Sequence, residues 1–164
     1  ARLARGGYRG VSVGEPWSRS REVLEWITPL LPPDRPRYLM GGGTPQDILE
    51  AVEAGIDMFD CVLPTRLGRN GSVYTSAGRV NIRSRRLTED WGPIDPNCDC
   101  HTCSRYSAAY LRHLYRCDEI LAARLATYHN LHFYHRLMQG IRGSIEAGRF
   151  DAFKREFIQK FRQA

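Results

Sequence analysis

The stretch Arg37-Tyr38-Leu39-Met40-Gly41-Gly42-Gly43-Thr44-Pro45-Gln46-Asp47-Ile48-Leu49-Glu50-Ala51-Val52-Glu53-Ala54-Gly55-Ile56-Asp57-Met58-Phe59-Asp60-Cys61-Val62 decides the fold. Residues 37–41 read as a buried strand that runs into a glycine triplet. Thr44 then stands as a helix N-cap, with Pro45 at the first helical position and Asp47 at the third. Ile48, Leu49 and Val52 supply an apolar face, and Gly55 stops the helix. Residues 56–62 are a second strand. Strand, short helix and strand make a βαβ unit, which implies parallel strands with helices packed outside them.

Asp60 lies at the C-terminal end of that second strand, where parallel α/β folds place their chemistry. A carboxylate there costs several kcal/mol to bury unless it is paired or used. It is a candidate nucleophile or base, with a salt-bridged structural aspartate as the alternative. Upstream, residues 8–16 read as a short strand entering a loop in which Gly10 and Gly14 bracket apolar residues, so the backbone could approach a flat ligand. Ser18 or Ser20 caps a helix carrying Val23, Leu24 and Ile27 and ending near Pro29. Downstream, residues 63–71 read as a polar, glycine-bearing loop. Residues 71–75 and 79–83 alternate as a hairpin across Ser76-Ala77-Gly78.

The rest of the chain reads as helical. One helix over residues 104–116 carries Tyr106, Tyr110 and Leu114, and a second, capped by Asp118, carries Leu121, Leu125 and Tyr128. The last shows Phe150, Phe153, Phe157 and Phe161, a core-packing stripe.

Between hairpin and helices stands Cys98-Asp99-Cys100-His101-Thr102-Cys103. Three thiols this close fold onto a single soft cation, usually zinc held tetrahedrally with a fourth ligand from elsewhere. His101, His113, His129, His132 and His135 are the histidines available. A disulfide plus a free thiol is the alternative, but Cys98 and Cys100 are too close to bridge easily. Pro93, Pro96 and Asn97 make the loop that presents the thiols.

The 164 residues suffice for one domain with a real core, and 42% are hydrophobic, the class of a globular chain. No apolar run approaches eighteen residues and the N-terminus lacks the apolar core of a signal peptide, so a cytoplasmic protein without a membrane segment is expected. The net charge of +6 is compatible with a polyanionic partner. Its distribution says more: residues 66–86 hold Arg66, Arg69, Arg79, Arg83, Arg85 and Arg86 and no acid. Such a one-signed segment suits phosphate oxygens, with a merely solvated basic face as the alternative.

Taken together, Asp57-Met58-Phe59-Asp60-Cys61-Val62-Leu63-Pro64-Thr65-Arg66, Tyr38–Pro45, Gly68-Arg69-Asn70-Gly71, the Cys-x-Cys-x-x-Cys stretch, His129-Asn130 and Phe133-Tyr134 resemble the tRNA-guanine transglycosylase family. The resemblance runs from about residue 8 to the last helix. It implies an α/β fold, the C-terminal part of a (β/α)8 barrel with an inserted zinc-binding subdomain and C-terminal helices. Residues 1–66 would be the last strands and helices of the barrel, 67–129 the basic zinc-binding insert, and 130–164 the C-terminal helices. The family exchanges guanine at the tRNA wobble position for a 7-deazaguanine base in queuosine biosynthesis.

Residue by residue, the resemblance implies that Asp60 is the nucleophile that holds the RNA covalently, as carboxylates do in retaining glycosidases. Cys98, Cys100, Cys103 and His129 match the ligands of a structural Zn2+. Gly10, Val11, Ser12, Val13 and Gly14 match the base-recognition loop, braced by Glu15. Gly41, Gly42, Gly43, Thr44, Pro45, Gln46 and Asp47, with Thr65, Arg66, Leu67, Gly68 and Arg69, match segments that contact tRNA.

Val13 is the bacterial-type choice and favours 7-aminomethyl-7-deazaguanine as the incoming base. The sequence departs from the family's Gly-Gly-Leu-Ala-Val-Gly-Glu at Arg9, Val11 and Ser12, and Gly42 replaces an apolar residue. A (β/α)8 barrel takes about 250 residues, and this chain supplies three strands. An N-terminal part with a second catalytic aspartate is therefore expected, the isolated chain should be inactive, and a homodimer is expected of the full-length protein. The alternative function is a non-catalytic, zinc-stabilised tRNA-binding subunit.

Overall fold

A computed structural model of the chain describes residues 11–14, by their backbone, and residues 23–161. Gly10 and Glu15 of the expected base-recognition loop lie outside the described residues. The chain divides into two compact units, up to Leu63 and from Pro64 onward.

In the first unit, strands β1 (Val11–Gly14), β2 (Arg37–Met40) and β3 (Met58–Asp60) form a parallel sheet in sequential order. The described part of helix α1 covers residues 23–27, and helix α2 (Pro45–Glu53) crosses from β2 to β3. α2 begins as its residues dictate. Thr44 Oγ1 accepts from the Asp47 N–H at 3.1 Å while Asp47 Oδ2 accepts from the Thr44 N–H at 2.8 Å, a capping box. It ends at Gly55, whose φ of +91° closes a Schellman turn: the Ile56 N–H donates to Ala51 O and the Gly55 N–H to Val52 O.

The core of this unit gathers Leu24, Leu39, Ala51 and Ile56. Ala51, rather than the expected Val52, is buried beside Ile48 and Leu49. β3 is shorter than the expected 56–62 strand, because the chain leaves the sheet after Asp60.

The second unit opens where a loop was expected. Residues 63–69 are helix α3 (Leu63–Arg69), with Pro64 in its first turn, where a missing N–H costs nothing. β4 (Ser72–Thr75) and β5 (Gly78–Asn81) pair antiparallel around the two-residue turn Ser76-Ala77, as the alternation predicts. Instead of one helix over 104–116 there are two. α4 (His101–Arg105) starts inside the cysteine stretch on Cys100, and α5 (Ala108–Arg116) starts on Ser107, whose side chain accepts from the Tyr110 N–H.

α6 (Ile120–Glu146) has Glu119 as its N-cap; Asp118 is not the cap but sits at φ +56° just before it. The inward faces also differ from the expected stripes. α5 buries Ala108, Ala109, Leu111, Leu114 and Tyr115, leaving Tyr110 exposed. α6 buries Ala122, Leu125, Ala126, His129 and Asn130, leaving Leu121 and Tyr128 exposed.

These residues close a core with Val73, Ile82, Leu87 and Ile94 that includes Cys100 and Cys103. α7 (Phe150–Phe161) buries no residue fully; Phe157 and Phe161 instead stack on one another and reach Phe133 of α6. No described helix is long and apolar enough to cross a membrane.

Candidate functional site

Two groups of residues concentrate chemistry, one in each unit. In the first, the register Tyr38↔Met58 and Met40↔Asp60 sets Tyr38, Met40, Met58 and Asp60 on one face of the sheet. Leu39, between Tyr38 and Met40, points the other way into the core. The Asp60 face is open: Met40 is 53% and Met58 47% exposed, and Asp60 is exposed with them. Tyr38 donates its hydroxyl hydrogen to Asp60 Oδ1 at 2.5 Å. That bond raises the phenol's pKa, with the small desolvation of the ring and the carboxylate's charge adding to it, so the phenol stays a donor.

The glycine triplet follows β2 directly. Gly41 takes φ +86° and is exposed, whereas Gly42 and Gly43 are buried. Gly43 packs on Cys61, the residue after Asp60, so closely that a Cβ would lie 2.1 Å from its sulfur. Asp47 of the expected RNA-contact segment is engaged by the Thr44 N–H. In the second unit Arg66 and Arg69 of α3 are exposed, while Leu67 and Gly68 are buried. Of the other arginines in the basic segment, Arg79 donates to Ser72 Oγ, and Arg83 donates to Tyr115 O while lying over its ring.

The second group is the cysteine cluster. Cys98, Cys100, Cys103 and His129 bring four ligand atoms within 4.8 Å of one another. His129 Nδ1 lies 3.8, 3.4 and 3.3 Å from the three sulfurs in chain order. Around a tetrahedral ion with ordinary zinc–sulfur and zinc–nitrogen bonds, the sulfur–nitrogen edge is about 3.5 Å. The donor set and its spacing therefore fit such a metal.

The surroundings fit as well. His129 is fully buried, and its Nε2 hydrogen is donated to Tyr74 O at 2.7 Å, which turns Nδ1 to the sulfurs as the atom that would ligate a metal once deprotonated. Hydrogen bonds from Cys103, then Cys98, hold the Cys100 thiol far below its usual pKa, and the same contacts push Cys103 up. Burial opposes charge on His129, but Cys100, Cys98 and the Tyr74 carbonyl outweigh it and push its pKa up to about 10. Without a metal these groups share protons, and a bound cation would displace them from the sulfurs and from Nδ1.

Of the five histidines that spacing left open, His129 is the one turned to the sulfurs. His132 instead pairs with Asp99 at 2.9 Å, beside Arg136 at 2.8 Å, so the residue between Cys98 and Cys100 is tied to α6. His101 packs edge-on against Tyr106 and Tyr128. Hydrogen bonds from His132, then Arg136, hold the Asp99 carboxyl below the usual range.

Three supporting residues were given no role of their own in the sequence. Asp95, buried, accepts from Ser76 N–H, Ser76 Oγ and Asn97 N–H, which ties the hairpin turn to the loop before the cysteines. Its signal was there, since Asp-Pro-Asn is an Asx-turn sequence. Asn130, fully buried, accepts from Tyr74 N–H and donates to Pro64 O and Ser72 O, so it joins α3, β4 and α6. Tyr38 is the third, and only the strand register reveals it.

A parallel βαβ unit ending in an exposed carboxylate, followed by a largely helical unit built on a Cys3His cluster, defines an α/β protein with a candidate structural metal centre. The family model described as queuine tRNA-ribosyltransferase matches residues 4–163. Proteins named queuine tRNA-ribosyltransferase are similar over 93% of the chain: 55% identical in Caldanaerobacter subterraneus, 54% in Shewanella frigidimarina and 51% in Bacillus mycoides. The match covers 40%, 41% and 40% of those relatives, so the chain spans about two fifths of their length. The chain belongs to the queuine tRNA-ribosyltransferase family.

Proposed function

We propose that the protein carrying this chain is a tRNA-guanine transglycosylase, which exchanges guanine at the wobble position of tRNA for 7-aminomethyl-7-deazaguanine through a covalent Asp60–RNA intermediate. The family match over residues 4–163 carries the reading. The relatives' name speaks of queuine; Val13, the bacterial-type residue, is what favours the aminomethyl base.

The three sequential parallel strands are consistent with the last strands of a (β/α)8 barrel, whose C-terminal strand ends carry the active site. In that reading residues 1–66 complete the barrel, 67–129 form the basic zinc-binding insert and 130–164 are the C-terminal helices. Asp60 then attacks the ribose anomeric carbon; the bond to the purine breaks, its electron pair leaves with guanine, and guanine takes up a proton. In the second displacement the incoming base loses a proton, attacks the same carbon and returns the electron pair to Asp60. Two displacements conserve the bond energy of the glycoside, so no ATP is required.

Gly10–Gly14, braced by Glu15, would read the base by backbone groups. Gly41–Asp47 and Thr65–Arg69 would contact the RNA, with Arg66 and Arg69 on phosphates. The metal in this reading is zinc, bound by Cys98, Cys100, Cys103 and His129. Four protein ligands leave it no open position, so it supplies structure rather than an activated water. A homodimer acting in the cytoplasm completes the proposal.

The test is base exchange by the whole gene product on a substrate tRNA, followed with labelled guanine. Asp60→Asn should lower the exchange rate by about a thousandfold or more, the scale seen when a nucleophile is removed. Exchange that persists at the parent rate in the variant would refute the role of Asp60.

A further inference from the structure

We propose that Tyr38 is a positioning residue for Asp60, its hydroxyl fixing one carboxylate oxygen so that the other is presented to the ribose. This rests on the nucleophile reading given above. The strand register makes the pair specific. Tyr38 is opposite Met58, and Asp60 is opposite Met40, so Tyr38 and Asp60 are diagonal neighbours on one face. Adjacent strands and a two-residue offset separate their backbones by about 8 Å. A serine or threonine hydroxyl at position 38 falls short of that span, and a phenol reaches it. The side chains on this face of β2 and β3 are Tyr38, Met40, Met58 and Asp60, and the phenol is the one hydrogen-bond donor among the four. It is committed to Oδ1 at 2.5 Å, within the range of a charge-assisted O–H···O bond.

The consequence is directional. An unrestrained carboxylate rotates about its own bond and offers either oxygen. With Oδ1 held, Oδ2 is the oxygen left to attack. The same hydrogen bond serves the return step, because Oδ1 regains negative charge as the ribose–oxygen bond breaks. The phenol's raised pKa means that it keeps its proton throughout and acts as a donor rather than as an acid. Tyr38 touches the nucleophile and not the reacting carbon, so its effect belongs in kcat and in the rate of adduct formation rather than in RNA binding.

The experiment compares the whole gene product with its Tyr38→Phe variant on a substrate tRNA. The expected result is a kcat and a single-turnover adduct rate lower by roughly 10- to 100-fold, the scale of a nucleophile misplaced by about 1 Å, with KM for tRNA within about twofold. An unchanged kcat, or a loss confined to KM, would overturn the proposal. Fluorotyrosine at position 38 keeps ring and shape and decides the matter should the phenylalanine variant not fold. A kcat that moves with the acidity of the hydroxyl supports the positioning role, and one indifferent to it overturns it. Asp60→Asn is run alongside. If that variant still forms the adduct, the nucleophile reading falls, an outcome separable from any result at Tyr38.

Discussion

Cys100 is 2% exposed and faces His129 Nδ1 at 3.4 Å, so its loss removes both a ligand and part of the core. In the metal-bound protein, Cys100→Ser should abolish stoichiometric zinc and destabilise the Pro64–Ala164 unit by several kcal/mol, on the order expected when a structural zinc site is lost. Metal analysis and thermal unfolding check this, and a strong chelator should reproduce the effect in the parent protein. Acid should do the same, because protons compete for the three sulfurs and for His129. An intact, metal-free fold would contradict it. At this scale the sequence was highly informative about the thiols, since three cysteines in six residues are local. It could not choose among five histidines, because the partner lies some thirty positions away and is selected by helix packing. Tyr38 was equally hidden, since its relation to Asp60 exists only once two strands are in register.

Helix α3 shows how an element escapes a local reading. Pro64 and Gly68 are breakers by composition, yet Pro64 occupies the first turn, and Gly68 is where the helix backbone meets α6. A Cβ on Gly68 would lie 2.8 Å from the Thr127 backbone, so Gly68→Ala should cost about 1–3 kcal/mol through overpacking. Urea unfolding of the parent and variant measures it, and an unchanged midpoint would show that α3 and α6 do not meet there. The contrast is α2, whose capping box and Schellman turn are written in adjacent residues and were fully legible. The stripes on α5 and α6 were misphased because both helices carry apolar residues on two faces. Packing around the cysteine cluster chose Ala122, Leu125 and Ala126 for the inside, and left Leu121 and Tyr128 in solvent.

At the scale of the whole molecule, charge and length govern what can be expected. The six arginines of residues 66–86 are exposed, and Arg66 and Arg69 share the short helix that follows Asp60 in sequence. Replacing both with alanine should weaken tRNA binding and reduce the slope of log affinity against log salt by roughly one for each phosphate left without its arginine. Titrations at several salt concentrations read this directly, and an unchanged slope would place those arginines off the RNA. The chain covers about two fifths of its relatives, whose further length would suffice for the barrel proposed above. The parallel order of β1, β2 and β3 was legible because βαβ connectivity is a local pattern, whereas closure of a barrel is not.

The central claim is that Asp60 becomes covalently joined to RNA, and the most direct measurement is peptide mapping of the trapped complex. The whole gene product is incubated with substrate tRNA without an incoming base, denatured, digested and analysed by mass spectrometry. The account predicts one ribose-linked peptide, modified at Asp60 and absent from the Asp60→Asn protein. An adduct mapped to any other residue, or one that survives in Asp60→Asn, would contradict it.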